Sequence, residues 1–138
     1  MSNFYRISNS RQAMLLILIL ILIVSLFIES SQPPAEFMNI MKNFDKIMHF
    51  SAYGCLSLLI CTLCLEIKPM SYIPVISAPL FVAALVGSGE EFYQMYVPGR
   101  QASIFDLLAD ISGAIMAILF VNMMIKISPR FRRKSSSS

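Results

Sequence analysis

Four long apolar segments dominate this chain of 138 residues and restrict the folds open to it. They cover residues 12–28, 47–65, 69–89 and 111–125, and none contains Asp, Glu, Lys or Arg. A helix needs about 20 apolar residues to cross the roughly 30 Å hydrocarbon core of a bilayer. The first three segments approach or reach this length, and the fourth does so if its helix begins near Asp106. The sequence therefore predicts an all-α, polytopic membrane protein with four transmembrane helices.

The composition agrees with this class of protein. Only 14% of the residues are charged and 57% are hydrophobic, whereas about 25% charged residues is typical of a soluble domain. A basic run close to a membrane helix is typical of a topology anchor, so the basic residues near the carboxyl terminus do not predict nucleic-acid binding.

The placement of the basic residues predicts the orientation. With the amino terminus in the cytoplasm, the inner side holds eight of the eleven Lys and Arg residues, and the positive-inside rule favours that side. The outer side holds Lys42, Lys46 and Arg100. We therefore expect both termini to be cytoplasmic. The predicted organisation is a cytoplasmic tail over residues 1–11, a four-helix membrane domain over 12–127, and a basic, serine-rich cytoplasmic tail over 128–138.

Polar residues recur at helical spacing where three of the predicted helices reach the outer face. Asp45, His49 and Tyr53 are four residues apart, so they share one helix face. Either Glu90 or Glu91 forms a second such face with Gln94, and Asp106, Asp110 and Gly113 form a third. Ionisable residues at the edge of a hydrocarbon core are costly and indicate a functional site. The sequence thus predicts one polar site at the outer membrane face.

Each of these residues also has a structural interpretation. Asp45 and Lys46 are compatible with charges at a helix start, and His49 with a hydrogen bond at the interface. Ser103 and Asp106 have the spacing of a capping box at the start of the fourth helix. Arg100 is expected to pair with Glu91 or Asp106, either to hold the loop or to contact a ligand. Glu90 can be interpreted as a solvated neighbour of Glu91. The nearby aromatic residues are typical of an aromatic belt at the membrane interface; they are Phe92, Tyr93, Tyr96 and Phe105.

The motifs resemble those of the VanZ-like family of small bacterial membrane proteins. The resemblance covers about residues 45–120 and rests on three blocks: Asp45-Lys46-x-x-His49-Phe50-x-x-Tyr53-Gly54, Glu91-x-x-Gln94-x-x-x-Pro98-Gly99-Arg100-x-x-Ser103-x-x-Asp106, and Gly113. It implies a compact multi-helix membrane domain, associated by name with resistance to the glycopeptide teicoplanin. The chain departs from the expected pattern at Asp110, where the resemblance implies Asn.

Three functions compete. The first is a binding protein whose outer polar site engages a lipid headgroup or a glycopeptide, with Arg100 and Lys46 contacting phosphate or carboxylate and tyrosines flanking the apolar part. The predicted ligand-binding residues are Asp45, Lys46, His49, Tyr53, Glu91, Gln94, Arg100 and Asp106. The second is an intramembrane acid–base or metal-assisted hydrolase of a lipid-linked substrate, with His49, Glu91, Asp106 and Asp110 as catalytic candidates. The third is a structural protein in which the polar residues only hold helices together.

The first function is preferred because the sequence has no H-E-x-x-H motif, no G-x-S-x-G motif and no phosphate-binding glycine loop. This interpretation favours a protein that is not an enzyme, while the hydrolase stays open as the alternative, and no metal or cofactor is assigned. The predicted partners are the lipid bilayer and a lipid or glycopeptide ligand, with no nucleic acid, and oligomerisation is left open. The predicted location is the bacterial cytoplasmic membrane.

Overall fold

The computed structural model describes residues 2–33, 44–67 and 72–127. These residues form four helices: α1 (Ser2–Ser30), α2 (Phe44–Ile67), α3 (Tyr72–Gln94) and α4 (Ile104–Ile127). Each helix is long and apolar enough to cross a membrane. The predicted all-α fold with four transmembrane helices is therefore confirmed. The predicted carboxyl-terminal tail and residues 34–43 and 68–71 lie outside the described residues.

The helices extend beyond the apolar segments. The helix α1 begins at Ser2, within the segment predicted as a tail, although its membrane-length part starts at Asn9. The helix α3 continues to Gln94, so Glu90 and Glu91 lie in its last two turns and not in the connection to α4. The start of α4 at Ile104 gives the short fourth apolar segment a membrane-spanning length.

The connections arrange the helices with alternating direction. Ser30 at the end of α1 contacts Glu90 near the end of α3, and His49 near the start of α2 contacts Asp110 near the start of α4. At the opposite end, the Gln12 side chain donates a hydrogen bond to the Glu66 carbonyl oxygen at 3.3 Å. We call the first of these two ends of the bundle the polar end. All the residues predicted for the functional site lie there.

The centre of the bundle is formed by α2, α3 and α4. A core of Tyr53, Leu56, Ile60, Ala83 and Ala114 joins these three helices. From Met14 to Ile28, most side chains of α1 are apolar and many are exposed, which is typical of a helix that faces lipid. Because α1 is apolar all round, it has no single face that directs it to the core, and it packs mainly against α2.

Pro79 lies inside α3 and is fully buried. Because proline has no backbone N–H, it leaves the carbonyl oxygen of Val75, four residues earlier, without its helical donor. The Cys61 thiol of α2 lies 3.5 Å from this oxygen and donates a weak hydrogen bond to it. A carbonyl oxygen freed by a proline inside a membrane helix needs a partner within the bundle, and the Cys61 thiol supplies one.

Two glycines set the closest approach of α2 and α4. A methyl group at Gly113 would overlap the carbonyl oxygen of Phe50 and would lie 3.0 Å from the backbone nitrogen of Gly54. Only a residue without a side chain fits there, so the two backbones meet directly. This contact holds the starts of α2 and α4 side by side at the polar end.

The first prediction concerns this contact. We expect Gly113→Ala to lower the free energy of unfolding by about 1 to 3 kcal/mol, because the added methyl group must push the two helices apart. The measurement is unfolding of the detergent-solubilised protein followed by circular dichroism. Gly89→Ala is the matched control, since a methyl group there would meet only a ring carbon of Phe27 at 3.5 Å. Equal loss of stability in the two variants would contradict the close approach.

Candidate functional site

Polar side chains from all four helices meet at the polar end. We call this group the polar cluster; its members are Ser30, Lys46, His49, Tyr53, Glu90, Glu91, Gln94, Asp106 and Asp110. All of them except Lys46 are buried. Burying a charged or polar group is costly unless it is paired, so the contacts within the cluster determine what the site can do.

His49 and Asp110 form the deepest pair of the cluster. The Nδ1 atom of His49 lies 2.9 Å from Oδ1 of Asp110, which is fully buried. The other oxygen, Oδ2, has no hydrogen-bond partner among the described residues. It lies over Gly87 of α3, where a Cβ atom would be only 2.6 Å away. Gly87 therefore makes the space that the Asp110 carboxyl group occupies.

Lys46 joins the starts of α2 and α4. Its Nζ atom lies 2.9 Å from Oδ2 of Asp45 and 2.9 Å from Oδ1 of Asp106. Asp106 is buried, whereas the side chain of Asp45 is 40% exposed. The ammonium group therefore neutralises a buried carboxylate and is already engaged within the chain.

Glu91 caps the start of α4 from the neighbouring helix. The backbone N–H of Ser103 donates a hydrogen bond of 2.6 Å to Oε2 of Glu91. In a capping box this N–H would be bound by the residue three positions later, which is Asp106. The expected capping box is not formed, because the Asp106 carboxylate binds Lys46 instead. The second oxygen of Glu91, Oε1, is buried and has no partner in the described parts of the chain.

Glu90 is a member of the cluster that the sequence offered only as an alternative to Glu91 and that is not among the predicted ligand-binding residues. It is 1% exposed, and its carboxylate accepts hydrogen bonds from the Tyr53 hydroxyl at 2.7 Å and from the Ser30 hydroxyl. The Gln94 side chain donates to the same Ser30 oxygen at 3.1 Å. The spacing of four between Glu90 and Gln94 was a signal for Glu90. Ser30 gave no signal, because it ends a helix that otherwise faces lipid.

Arg100 does not pair with Glu91 or Asp106, and that prediction is wrong. Its guanidinium group contacts the carboxyl end of α1: it donates to the carbonyl oxygens of Glu29 and Gln32, each at 2.9 Å, and to the Glu29 carboxylate at 2.6 Å. A cation is favoured there because the last carbonyl groups of a helix lack partners and carry partial negative charge. Arg100 therefore docks α1.

A tight turn directs Arg100 toward α1. The backbone N–H of Arg100 bonds to the carbonyl oxygen of Val97 at 3.1 Å, and Gly99 has a φ of 83°. With Pro98 in the second position, this is the pattern of a type II turn, which requires a positive φ at its third residue. The Pro98-Gly99-Arg100 block thus has a structural explanation.

The structure therefore divides the predicted ligand-binding residues into three groups. Lys46, His49, Tyr53, Glu91, Gln94 and Asp106 come together in the polar cluster, where Asp110 joins them. Asp45 lies at its edge. Arg100 lies outside it, against α1. Phe92, Tyr93, Tyr96 and Phe105 are exposed at the same end of the bundle, which is compatible with an aromatic belt.

The balance of charge in this region is negative. Five carboxyl groups, those of Asp45, Glu90, Glu91, Asp106 and Asp110, face one ammonium group and one imidazole. The unpartnered atoms, Oε1 of Glu91 and Oδ2 of Asp110, are both acceptors. The arrangement is therefore suited to a proton, a cation or a hydrogen-bond donor from a ligand, and less to a free anion.

An apolar groove begins within about one helical turn of the His49–Asp110 pair. It has a volume of about 350 Å³ and runs between α2 and α4 on the outside of the bundle. One stripe of each helix lines it: Phe50, Ser51, Gly54, Cys55 and Leu58 from α2, and Gly113, Met116, Ala117 and Phe120 from α4. Several of these side chains are exposed, so the groove opens toward the surrounding lipid.

The fold and the site define a class of protein: a small polytopic helical membrane protein with a buried polar cluster at one end of its bundle. The VanZ/LLP1 family matches residues 33–125, which include every cluster member except Ser30. The chain belongs to this family. No curated protein and no solved structure matches it at a significant level.

The second prediction concerns Arg100. We expect Arg100→Gln to lower the free energy of unfolding in detergent by about 1 to 3 kcal/mol, because it removes hydrogen bonds of a charged group from the end of α1. Arg11→Gln is the matched control, since Arg11 is exposed and lies 3.9 Å from Glu66. Such surface pairs contribute about 0 to 1 kcal/mol. An Arg100 variant no less stable than the Arg11 variant would argue against the docking role.

Proposed function

We propose that this VanZ-family membrane protein binds a cell-envelope amphiphile, either a lipid or a glycopeptide, and that binding contributes to glycopeptide resistance. The polar cluster receives the head of the amphiphile, and the groove between α2 and α4 receives its apolar chain. One observation carries this proposal: along α2 and α4, the buried polar cluster is followed directly by an apolar groove that faces lipid.

The apolar lining of the groove suits a hydrocarbon chain. Its lining side chains recur at intervals of three and four along both helices, so the groove follows the helix direction from the polar end toward the membrane interior. Ligand sites with an apolar lining and a few polar groups at one end fix both the position and the orientation of an amphiphile. A chain that enters from lipid needs no passage through water.

The contacts of Lys46 and Arg100 change which chemical group is expected at the head of the amphiphile. Lys46 binds two carboxylates and Arg100 binds α1, so neither is available as a free anion-binding group. The unpartnered acceptors belong to Glu91 and Asp110. These groups favour a head that brings a positive charge or a hydrogen-bond donor, such as an amine.

The proposed location is the bacterial cytoplasmic membrane, with both termini in the cytoplasm and the polar end at the outer face. The excess of basic residues that the sequence assigns to the opposite side supports this orientation. It brings the cluster to the leaflet at which envelope precursors and glycopeptides are exposed.

A second candidate function is an intramembrane hydrolase. The observation that favours it is the buried His49–Asp110 pair, because a carboxylate bonded to one imidazole nitrogen orients the ring for proton transfer at the other. The cluster would then act on a lipid-linked substrate whose chain lies in the same groove. In the structural alternative, the cluster only holds the helices together.

The third prediction tests the function in cells. We expect expression of the wild-type protein to protect a glycopeptide-susceptible bacterium, and Glu91→Gln and Asp106→Asn to reduce protection to the level of an empty vector. Both amides keep an acceptor oxygen for the Ser103 N–H or for Lys46, so the main loss is the negative charge. The measurement is the minimal inhibitory concentration of teicoplanin, with membrane abundance quantified for each strain.

Glu66→Gln is the matched control, because Glu66 lies at the opposite end of the bundle. It should protect as the wild type does. Loss of protection only in proportion to loss of protein would favour the structural alternative. Absence of protection by the wild type would exclude a role in glycopeptide resistance.

The fourth prediction tests the groove. We expect a phosphatidylethanolamine with a diazirine in its acyl chain to label α2 and α4 on irradiation, and Cys55→Phe to abolish this labelling because the ring fills the groove. Met48→Phe is the control, since Met48 is an exposed residue of α2 outside the groove. Mass spectrometry of the labelled peptides gives the result. Equal labelling of both variants would contradict binding in the groove, and recovery of a cleaved probe would favour the hydrolase.

A further inference from the structure

Three buried side chains from three helices bring potential metal ligands close together. One ring nitrogen of His49 and one carboxylate oxygen each of Glu91 and Asp106 all lie within 4.8 Å of one another. These residues belong to α2, α3 and α4 respectively. Ligands of a tetrahedral site are roughly 3 to 3.5 Å apart, so small side-chain movements bring these atoms to coordination distance.

The contacts of Glu91 provide an independent indication of a ligand. The residue is 8% exposed, and only one of its two carboxylate oxygens accepts a hydrogen bond. The other, Oε1, is buried without a donor in the part of the chain that the structure describes. A buried carboxylate oxygen without a partner is unfavourable, and a bound cation at the centre of the three side chains would satisfy it.

Asp110 orients the imidazole ring of His49 in the way that is typical of a metal-binding histidine. Metal-binding histidines usually donate the hydrogen of their second ring nitrogen to a carboxylate, which fixes the ring and increases its basicity. The 2.9 Å contact between Nδ1 of His49 and Oδ1 of Asp110 is such an arrangement. It leaves Nε2 as the ring nitrogen with a free lone pair. Parallel stacking on Tyr53, at a centroid distance of 6.3 Å, further restricts the ring.

We propose that His49, Glu91 and Asp106 bind a divalent first-row transition metal, with Asp110 as the residue that positions His49. One imidazole and two carboxylates suit Mn²⁺, Fe²⁺ or Zn²⁺ better than Ca²⁺, which takes oxygen ligands alone. Three protein ligands leave coordination positions open, as in metal sites that also bind a second molecule. The proposal does not depend on amphiphile binding.

Lys46 is the internal competitor of the metal. Its ammonium group lies 2.9 Å from Oδ1 of Asp106 and so neutralises one of the proposed ligands. The side chain is 30% exposed, which allows it to swing toward solvent or headgroups when an ion binds. The metal and Lys46 therefore compete for the same carboxylate.

The fifth prediction is a metal-binding measurement on the purified full chain in detergent, without a polyhistidine tag. The probe is Mn²⁺, followed by electron paramagnetic resonance, because thiols such as those of Cys61 and Cys64 are poor ligands for it. We expect a single Mn²⁺ ion to bind to the wild-type chain and Zn²⁺ to displace it. His49→Gln, Glu91→Gln and Asp106→Asn should each weaken binding at least about tenfold, and Asp110→Asn by about 10- to 100-fold.

Two further variants separate metal binding from folding. Glu66→Gln removes a carboxylate at the opposite end and should bind Mn²⁺ as the wild type does. Lys46→Gln should bind Mn²⁺ roughly tenfold more tightly, since the competing ammonium group is gone. A misfolded variant would not gain affinity. Every variant is first required to elute as a single species with wild-type helical content.

Absence of Mn²⁺ and Zn²⁺ binding by the wild type would overturn the proposal, as would equal binding by Glu91→Gln. Unchanged or weaker binding by Lys46→Gln would overturn the competition at Asp106 and with it the assigned ligand set. Lipid labelling and glycopeptide protection are separate readouts, so failure of the proposed function and failure of the metal site can be told apart.

Discussion

The absence of bulk water inside a bilayer is the constraint on which this structure depends. Each carboxyl group buried at the polar end has to find its donors within the protein, because an unpaired charge there is far more costly than at a soluble surface. In this chain the hydrogen-bond donors for each carboxyl group come from a different helix or from a connecting segment. His49 of α2 serves Asp110, Lys46 serves Asp106, and the backbone of residue 103 serves Glu91. The same contacts hold the helices together, and two acceptor oxygens of the cluster have no donor among the residues that the structure describes.

Close backbone packing makes these contacts geometrically feasible. Short polar side chains such as Asp reach across a helix interface only where the helix axes approach closely. Gly54 and Gly113 bring α2 and α4 into backbone contact, and Gly87 makes room for the carboxyl group of Asp110. The glycines and the ionisable residues therefore depend on each other. The glycines set the distance between the helices, and the ionisable side chains make their contacts across that distance.

Much of this architecture was predictable from the sequence. The apolar segments determine four spans, and the spacing of His49, Tyr53, Asp106 and Asp110 places them on helix faces that meet at one end. The partner of Arg100 was not predictable, because it consists mainly of backbone carbonyl groups at the end of α1, and these have no sequence signature. Glu90 was not assigned to the site for a related reason. Its partners include Ser30, and nothing in the apolar sequence of α1 indicates that this helix ends against the polar cluster.

The distribution of charge between the two halves of the chain has a consequence for how the protein is made. The cationic and imidazole groups of the cluster, Lys46 and His49, lie on α2, whereas its four carboxyl groups lie on the later helices α3 and α4. A hairpin of α3 and α4 alone would expose all four acidic groups to lipid or to the interface. Because α2 precedes α3 and α4 along the chain, its basic groups are synthesised before the acidic groups of the hairpin. The order of the helices along the chain thus supplies the counter-charges of the cluster before its four carboxyl groups are made.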